Sequence, residues 1–224
     1  MNDLSDPAID VYDNAMFIIA LDYLLEMAPD SPQASRWKSL REGIERNVRA
    51  HLWDVKRQKF IPHIYPEKSP IPEGFDELAI HYHGGTAIAI EAGLLSKDEI
   101  RTVNAQMLEN VRLSGMPSIG LTLYPVYPDG FFHGGMSKAY LYQNGGDWTW
   151  FGGRMIQQLV VNGMVEEAYA EIHPMIERVI QNDGFYEWYG KGGVPSGSGN
   201  FKGSAGVLSK AIELLRDWAE KNKS

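Results

Sequence analysis

The stretch Tyr142–Asn182 shows how this chain folds; it reads YQNGGDWTWFGGRMIQQLVVNGMVEEAYAEIHPMIERVIQN. Its opening segment, YQNGGDWTWFGG, is rich in glycine and aromatic residues and predicts a loop. Residues 154–163 are apolar nearly all round, as in a helix that is covered on both sides. Residues 164–182 have apolar side chains at helical spacing on one face, as in a surface helix. The stretch therefore predicts a loop, an inner helix, a short turn and an outer helix.

The same order of loop, inner helix, turn and outer helix recurs along the chain in units of roughly 50 to 60 residues. Ser96 and Glu99 form the S-x-x-E pattern of a capping box and mark the start of one outer helix. Helices are predicted over residues 14–28, 35–53, 85–92, 96–111, 154–163, 164–182 and 199–222. The prediction is an all-α fold: an α/α-hairpin toroid or partial (α/α)6 barrel of about seven helices, with aromatic-rich loops on one face. No linker divides the sequence, so residues 1–224 are expected to form a single domain.

The composition and charge exclude several classes of protein. Hydrophobic residues make up 44% and charged residues 22%, as in an ordinary soluble globular chain. The formal net charge of -8 argues against nucleic acid or an anionic membrane as a partner. There are no cysteines, which excludes disulfides and thiolate metal sites, and we expect no metal or cofactor. The acidic N-terminus does not resemble a signal peptide, and no apolar run approaches the ~20 residues of a membrane span. These features favour the cytoplasm without deciding the compartment.

Loops that enter neighbouring inner helices of such an array emerge on one face and line a shared cleft. In the quoted stretch this cleft would present Trp148, Trp150, Gln143, Asn144 and Asp147. Indole rings stack on the apolar faces of sugars, and amide, carboxylate and indole N–H groups bond to hydroxyls. The cluster therefore predicts a carbohydrate ligand, an oligosaccharide or a glycoside. The competing interpretation is that the indoles pack between the hairpins.

A second aromatic loop follows the outer helix of the same unit and reads GFYEWYGKGG. Glu187 lies there between Tyr186 and Trp188, a setting that stability alone explains poorly. Its carboxylate is a candidate general base or a group that binds a sugar hydroxyl, and the two neighbouring rings are candidate sugar-binding residues. The competing interpretation is an exposed loop glutamate. The Gly/Ser-rich run that follows is predicted to be a flexible loop over the cleft.

Two further segments precede inner helices and contain candidate cleft residues. His81 and His83 flank Tyr82, but two histidines at this spacing without a third ligand are weak evidence for a metal site. They could bond to a sugar or transfer protons, although a structural role is the stronger expectation. At least one of Asp10 and Asp13 is expected to cap the first helix. The other could face the cleft, so Asp13 is a candidate substrate-binding residue.

Several of these motifs together resemble one group of enzymes. YQNGG followed by DWTW and an apolar helix, then FYEWY, a glycine-rich loop and FKGSAGVLSKAI, resembles the C-terminal part of the six-hairpin (α/α)6-toroid glycosidases. This group contains trehalase, glucoamylase, the processing glucosidases, the neutral invertases and the glycogen-debranching glucosidase domain. YDNAMFIIALDYL and HGGTAIAIEAGLL resemble its inner helices. The resemblance covers nearly the whole chain, at the level of the group and not of one family.

The resemblance implies an inverting glycoside hydrolase, in which one acid protonates the leaving oxygen and a carboxylate late in the chain activates water. The late residue often lies in an aromatic-Glu-x-Tyr setting, which FYEWY matches. Glu187 is thereby implied as the general base, and the loop around Trp148 as part of the sugar-binding wall. The general acid of this group lies upstream of the helix that YDNAM resembles, at or before residue 1. If the acid lies within this chain, Asp147, Asp13 and Asp10 are the candidates, in that order.

The number of hairpins departs from a complete toroid. Only about three and a half of six are predicted, so the chain resembles the C-terminal portion of a larger catalytic domain. Such an array would expose apolar flanks of its inner helices, which implies either missing N-terminal hairpins or self-association. Two other functions stay open. One is a toroid epimerase or polysaccharide lyase that uses His81 and His83, and the other is a non-catalytic sugar-binding or scaffold module.

Overall fold

The computed structural model describes residues 7–223, which form seven α-helices and two short strand pairs. The helices are α1 Val11–Met27, α2 Ala34–His51, α3 His83–Glu91, α4 Lys97–Ser114, α5 Thr149–Val161, α6 Val165–Asn182 and α7 Lys202–Lys221. The antiparallel pairs are β1 (Trp53–Asp54) with β2 (Lys59–Phe60), and β3 (Trp188–Tyr189) with β4 (Pro195–Ser196). Each helix lies where the spacing of apolar residues predicted one, so the all-α class is confirmed.

The helices form two layers. In one layer α1, α3, α5 and α7 lie side by side, each packed against the next, while α2 covers α1 and α6 covers α5. The outer layer also contains α4, whose Asn104 donates a hydrogen bond to Glu171 of α6. The described part of the chain thus supplies four inner and three outer helices. This is the arrangement of a partial α/α toroid.

One apolar core holds the layers together. It includes the fully buried side chains of Ile18 on α1, Ile88 on α3, Met155 and Ile156 on α5, and Ala211 on α7. All four inner helices therefore contribute to the same core, and the outer helices add one face each. Removal of this apolar surface from water is the main term that stabilises the layered arrangement.

The inner helix α5 begins at Thr149, several residues before its predicted start. The glycine-rich segment predicts a loop because glycine is unfavourable within helices. In the structure a Cβ on Gly152 would lie 3.0 Å from the backbone nitrogen of Gly120, and a Cβ on Gly153 would lie 2.9 Å from Val207 of α7. Glycine therefore lets α5 approach its neighbours closely, and this packing outweighs helix propensity.

The helix ends carry predicted caps. The Ser96 hydroxyl accepts from the N–H of Glu99, and the Glu99 carboxylate accepts from the N–H of Ser96, which is the predicted capping box of α4. Asp10 is extended and its Oδ1 accepts from the N–H of Asp13 at 2.9 Å, so Asp10 caps α1. Gly115 ends α4 in the left-handed conformation with φ of 69°.

Both ends of the inner layer are open. On α1, at one end, Phe17, Tyr23 and Met27 are 48%, 56% and 73% exposed. At the other end, α6 and α7 border an apolar groove of about 690 Å³, lined by residues that include Tyr169 and Trp218. Apolar side chains are thus exposed at both flanks, as expected for an array that does not close on itself.

Bridges between loops connect the hairpins at the starts of the inner helices. The bridges join Ile9 to Ile64, His81 to Tyr124, Leu121 to Asp147, and Asp147 to Tyr189. The residues that precede α1, α3 and α5 are therefore bonded to loops from other parts of the chain. The Gly/Ser-rich run predicted to be a flexible loop contains β4, which pairs with β3. The loops gather on one face, as the hairpin array predicted.

Candidate active-site cleft

A row of aromatic rings lies on the face where the loops gather. The ring of Tyr12 on α1 lies 6.3 Å from that of Trp150 on α5, measured between centroids. Tyr142 lies 4.9 Å from Trp148, at the start of α5, and 6.3 Å from Trp188 on β3. These five rings, here called the aromatic row, extend from the start of α1 past the start of α5 to the β3–β4 loop.

The two indoles at the start of α5, Trp148 just before it and Trp150 within it, differ in their accessibility. Trp148 is 5% exposed and donates its Nε1–H to the carbonyl of Tyr142 at 3.1 Å, so it is a packing residue. Trp150 is half-buried, and the guanidinium of Arg154 lies 4.3 Å from its ring centroid. Arg154 is itself fixed by an ion pair with Glu91 of α3. Trp150 is therefore the α5 indole that a ligand can reach.

Glu187 lies directly before β3 and is half-buried. Its N–H donates to the carbonyl of Ser198 at 2.9 Å, and its Oε2 accepts from the N–H of Ser198 at 3.4 Å. A Cβ on Gly197, which has φ of 71°, would lie 2.4 Å from that Oε2, so glycine leaves the room that the carboxylate needs. Burial and the charge of Glu187 raise the pKa of Tyr142. The carboxylate is thus fixed at the β3 end of the aromatic row.

Asp147, the first sequence candidate for the general acid within the chain, is fully buried. The Ser118 hydroxyl lies 2.8 and 2.7 Å from its two carboxylate oxygens and donates its one proton to them, and Nη1 of Arg178 pairs with the carboxylate at 2.7 Å. Arg178 also donates to Thr149 and lies over the ring of Tyr189. Because these partners enclose the carboxylate, its role is to join the start of α5 to α6. A leaving group has no access to it in this arrangement.

The other candidate residues of these two loops also include both buried and accessible side chains. Asn144 is fully buried, and its amide bonds to the backbone of Tyr127 at 2.9 and 3.1 Å, so it shapes the loop. Gln143 is exposed. Tyr186 is half-buried, with its ring 6.1 Å from that of Tyr189. Gln143 and Tyr186 are accessible to a ligand, whereas Asn144 is not.

The two candidate histidines contact α4. His83 is 4% exposed and its Nε2 bonds to the amide of Asn110 at 2.9 Å, while the ring of His81 stacks on it at 5.7 Å. Burial is the main cause that lowers the pKa of His81 to about 4 and that of His83 to about 3, and the charge of Lys59 acts in the same direction. Both rings are therefore neutral at neutral pH. This arrangement supports the structural role.

A polar cluster that the sequence did not predict lies near the start of α1. Oε1 of Glu77 accepts from Nδ1 of His63 at 2.8 Å, from the hydroxyl of Tyr65 at 2.7 Å and from that of Tyr127 at 2.6 Å. Burial raises the pKa of Glu77, but these hydrogen bonds outweigh burial and hold the pKa below its usual value. The ionised carboxylate keeps a proton on Nδ1 of His63. The alternation of His63 and Tyr65 in a proline-rich loop is the one sequence feature that could have indicated the cluster.

The two acidic residues at the start of α1 lie in different environments. Asp10 is partly buried, and burial is the largest of the effects that raise its pKa. Asp13 is exposed. Asp13 is thus free to bond to a ligand hydroxyl, whereas Asp10 lies deeper and is already used in part as the helix cap.

The polar groups beside the aromatic row are carboxylates, tyrosine hydroxyls and an imidazole, all of which bond to sugar hydroxyls. Residues 7–223 contain no group of three or more histidine and acidic side chains arranged to hold a metal ion. None of the helices in that range is long and apolar enough to cross a membrane.

Comparison with known proteins shows similarity in structure. No protein-family profile matches the chain, and no curated protein matches it in sequence. The GH63 mannosylglycerate hydrolase from Thermus thermophilus, in complex with Tris and D-glycerate, superposes on 94% of the chain with a TM-score of 0.65 and 18% identity. Its complex with glucose superposes on 94% with a TM-score of 0.64 and 18% identity. A sialidase superposes on 84% with a TM-score of 0.60 and 12% identity.

The shared region is part of a longer protein in each of these neighbours. The chain spans 46% and 48% of the hydrolase in its two complexes and 17% of the sialidase. The hydrolase belongs to an (α/α)6-toroid glycoside hydrolase family. The chain therefore has the fold of part of an (α/α)6 toroid, the architecture on which the resemblance in sequence rests.

Proposed function

We propose that this chain is the base-bearing and sugar-binding portion of an inverting glycoside hydrolase, with Glu187 as the general base. The observation that carries the proposal is the position of Glu187, which is half-buried beside the aromatic row and fixed by Ser198 and Gly197. A carboxylate in that position is suited to take a proton from the water that attacks the anomeric carbon. The toroid fold supports this reaction class by analogy of fold.

The accessible residues of the cleft suit a carbohydrate substrate. Trp150, Tyr186 and Trp188 are half-buried rings on which sugar rings can stack. Gln143 and Asp13 are exposed and able to bond to hydroxyls. The hydrolase that superposes on the chain was crystallised with glucose and with D-glycerate, which supports a small polar ligand. We propose an oligosaccharide or glycoside as substrate.

An inverting mechanism also needs a carboxyl group that protonates the leaving oxygen, at about 6.5–9.5 Å from the base. Asp147 is not proposed for this role, because its ion pair encloses it. Asp10 and Asp13 lie at the α1 end of the aromatic row, and Glu187 lies at the β3 end. We propose that the acid comes from the part of a complete toroid that lies beyond the span shared with the hydrolase.

Glycosyl fluorides test the base without the acid, because fluoride departs without protonation. We expect the chain to hydrolyse a glycosyl fluoride of the matching anomer and to release the opposite anomer, observed by NMR. Glu187→Gln is expected to lower the rate about 100-fold to 10,000-fold, since it removes the base. The control Glu42→Gln, at an exposed position of α2, should keep the wild-type rate. Equal rates for Glu187→Gln and wild type, or retention of the anomer, would refute the proposed role.

A non-catalytic sugar-binding module is the second candidate. The observation that favours it is the span of the chain, whose described residues form four inner helices and which covers 46% of the hydrolase. This candidate predicts equal sugar affinity in wild type and Glu187→Gln, with no hydrolysis of any glycosyl fluoride. The epimerase or lyase alternative has less support, because His81 and His83 are held against α4.

A further inference from the structure

Asp10 and His63 lie opposite each other where the chain before α1 meets the loop after β2. Ile9 and Ile64 pair there through two backbone hydrogen bonds of 2.8 and 2.9 Å, one in each direction. Asp10 continues in extended conformation, with φ of −130°. In an antiparallel pair, the residue after one partner stands opposite the residue before the other. The register therefore places Asp10 opposite His63.

The alternation of side chains places this pair toward the ring of Tyr82. Ile9 and Ile64 point toward α2, with which they border a hollow. Asp10 and His63 consequently point to the other side. The ring of Tyr82 lies there, 6.4 Å from the ring of His63, and the charge of Asp10 adds to burial in raising the pKa of Tyr82.

The hydrogen bond between Nδ1 of His63 and Glu77 decides which ring nitrogen of His63 remains for a ligand. Nδ1 donates to Glu77, so Nε2 is the ring nitrogen left for another partner. The carboxylate of Asp10 accepts from the N–H of Asp13, which caps α1, and from the N–H of Tyr12, and a carboxylate has room for further hydrogen bonds. A hydroxyl group both donates and accepts, so it suits Nε2 of His63, whether or not that nitrogen carries a proton, and the carboxylate of Asp10.

His63 and Asp10 are close but are not bonded directly. Among the described residues His63 forms an ion pair with Glu77 and none with Asp10. Burial raises the pKa of Asp10, and His63 opposes that effect, which requires the two groups to be near each other. The two side chains are therefore neighbours in the register without a direct bond between them.

We propose that Asp10 and His63 bind two neighbouring hydroxyl groups of a carbohydrate at the α1 end of the aromatic row. One hydroxyl bonds to Nε2 of His63, and the other donates to a carboxylate oxygen of Asp10. This inference rests on the proposed function, because it assumes that a sugar binds along the aromatic row. It adds the groups that would bind the sugar at the end of the row opposite Glu187. Glu77 is a positioning residue, because it acts through His63.

The first experiment measures the binding of glucose and of mannose by calorimetry. His63→Asn places an amide nitrogen near the position of Nδ1, which keeps the bond to Glu77, and removes the outer nitrogen. Asp10→Asn keeps an oxygen that caps α1 and replaces the other carboxylate oxygen with an amide donor. Each variant is expected to bind the sugar about tenfold to 100-fold more weakly. His173→Asn, at an exposed position on α6, is the control that should bind as wild type does.

A second measurement uses the unchanged chain and so does not depend on whether a variant folds. With isotope-labelled histidine, the NMR signals of His63 are expected to show a proton on Nδ1, and added glucose is expected to shift Nε2 of His63 but not the ring of His173. Wild-type affinity in both variants, an unmoved Nε2 signal, or no binding of either sugar would each overturn the inference.

The outcomes separate this site from the proposed catalysis. Weakened binding in His63→Asn and Asp10→Asn without any hydrolysis of glycosyl fluorides supports the hydroxyl site and refutes the hydrolase function. Hydrolysis that depends on Glu187, together with unchanged sugar affinity in both variants, refutes the hydroxyl site alone.

Discussion

Glu171 connects the outer helices α4 and α6 through a buried polar contact. Its Oε1 accepts from the amide of Asn104 at 2.7 Å, while its Oε2 is buried and has no hydrogen-bond partner among the described residues. Burial raises the pKa of Glu171 to about 7, with the Asn104 bond opposing this effect and the charge of Glu167 adding to it. The folded chain therefore holds Glu171 in its neutral form below about pH 7.

The sign of the pH dependence follows from this raised pKa. The ordinary value of 4.5 applies in the unfolded chain, so the folded chain binds the proton more tightly. The resulting stabilisation is fully present below about pH 4.5 and is lost as the pH rises through about 7. The difference between the two pKa values corresponds to about 3 kcal/mol. An ionised Glu171 destabilises the fold by that amount relative to a neutral residue.

Glu171→Gln tests this reasoning, because glutamine keeps the acceptor for Asn104 and cannot ionise. Urea unfolding near pH 5 and pH 8 gives the free energy of unfolding of both proteins. The free energy of unfolding of the variant minus that of wild type is expected to rise by about 2.5 kcal/mol from pH 5 to pH 8, since part of the effect is already lost at pH 5. Glu177→Gln, an exposed position on the same helix, should follow wild type at both. A wild-type-minus-variant difference that does not change with pH would refute the reasoning.

Two further predictions concern buried contacts and are measured by urea unfolding at one pH. Arg178→Met leaves the buried carboxylate of Asp147 without its cation and is expected to lower the free energy of unfolding by about 3 to 5 kcal/mol. A decrease of less than about 1 kcal/mol would contradict the role given to this pair. Gly153→Ala introduces a Cβ 2.9 Å from α7 and is expected to cost about 1 to 3 kcal/mol. Gly206→Ala, on α7 with open space around the new Cβ, is the matched control and is expected to gain about 0.5 to 1 kcal/mol. Equal effects of the two alanines would contradict the packing argument.

The helices could be predicted because their causes are local. The apolar face of α6 and the capping box of Ser96 and Glu99 each depend on residues within one or two turns. The start of α5 could not be placed in the same way. Gly152 and Gly153 are favourable there because of their contacts with segments far away in the sequence, and no local pattern records such contacts.

The residues of the candidate site also differ in how far the sequence alone could predict their positions. The sequence points to Glu187 and Trp150, which are half-buried beside the aromatic row, and their roles stay predictions. Trp148 and Asp147 lie in the same segment as Trp150 and are residue types equally suited to a sugar-binding site, yet both are buried. Which side chains of this segment point inward depends on partners outside it, such as Arg178 on α6.

The arrangement of Asp10, His63 and Glu77 has no signature in the sequence beyond the alternation of His63 and Tyr65 in a proline-rich loop. The three residues lie in separate segments, and the pairing of Ile9 with Ile64 brings the first two together. Sequence specifies the chemistry of each side chain and the local periodicity that forms helices. A contact between two loops closes a long segment of chain, which carries an entropic cost. The folded structure as a whole offsets that cost. The groups that meet at the α1 end of the row could therefore be identified only once the inner helices and their loops were in place.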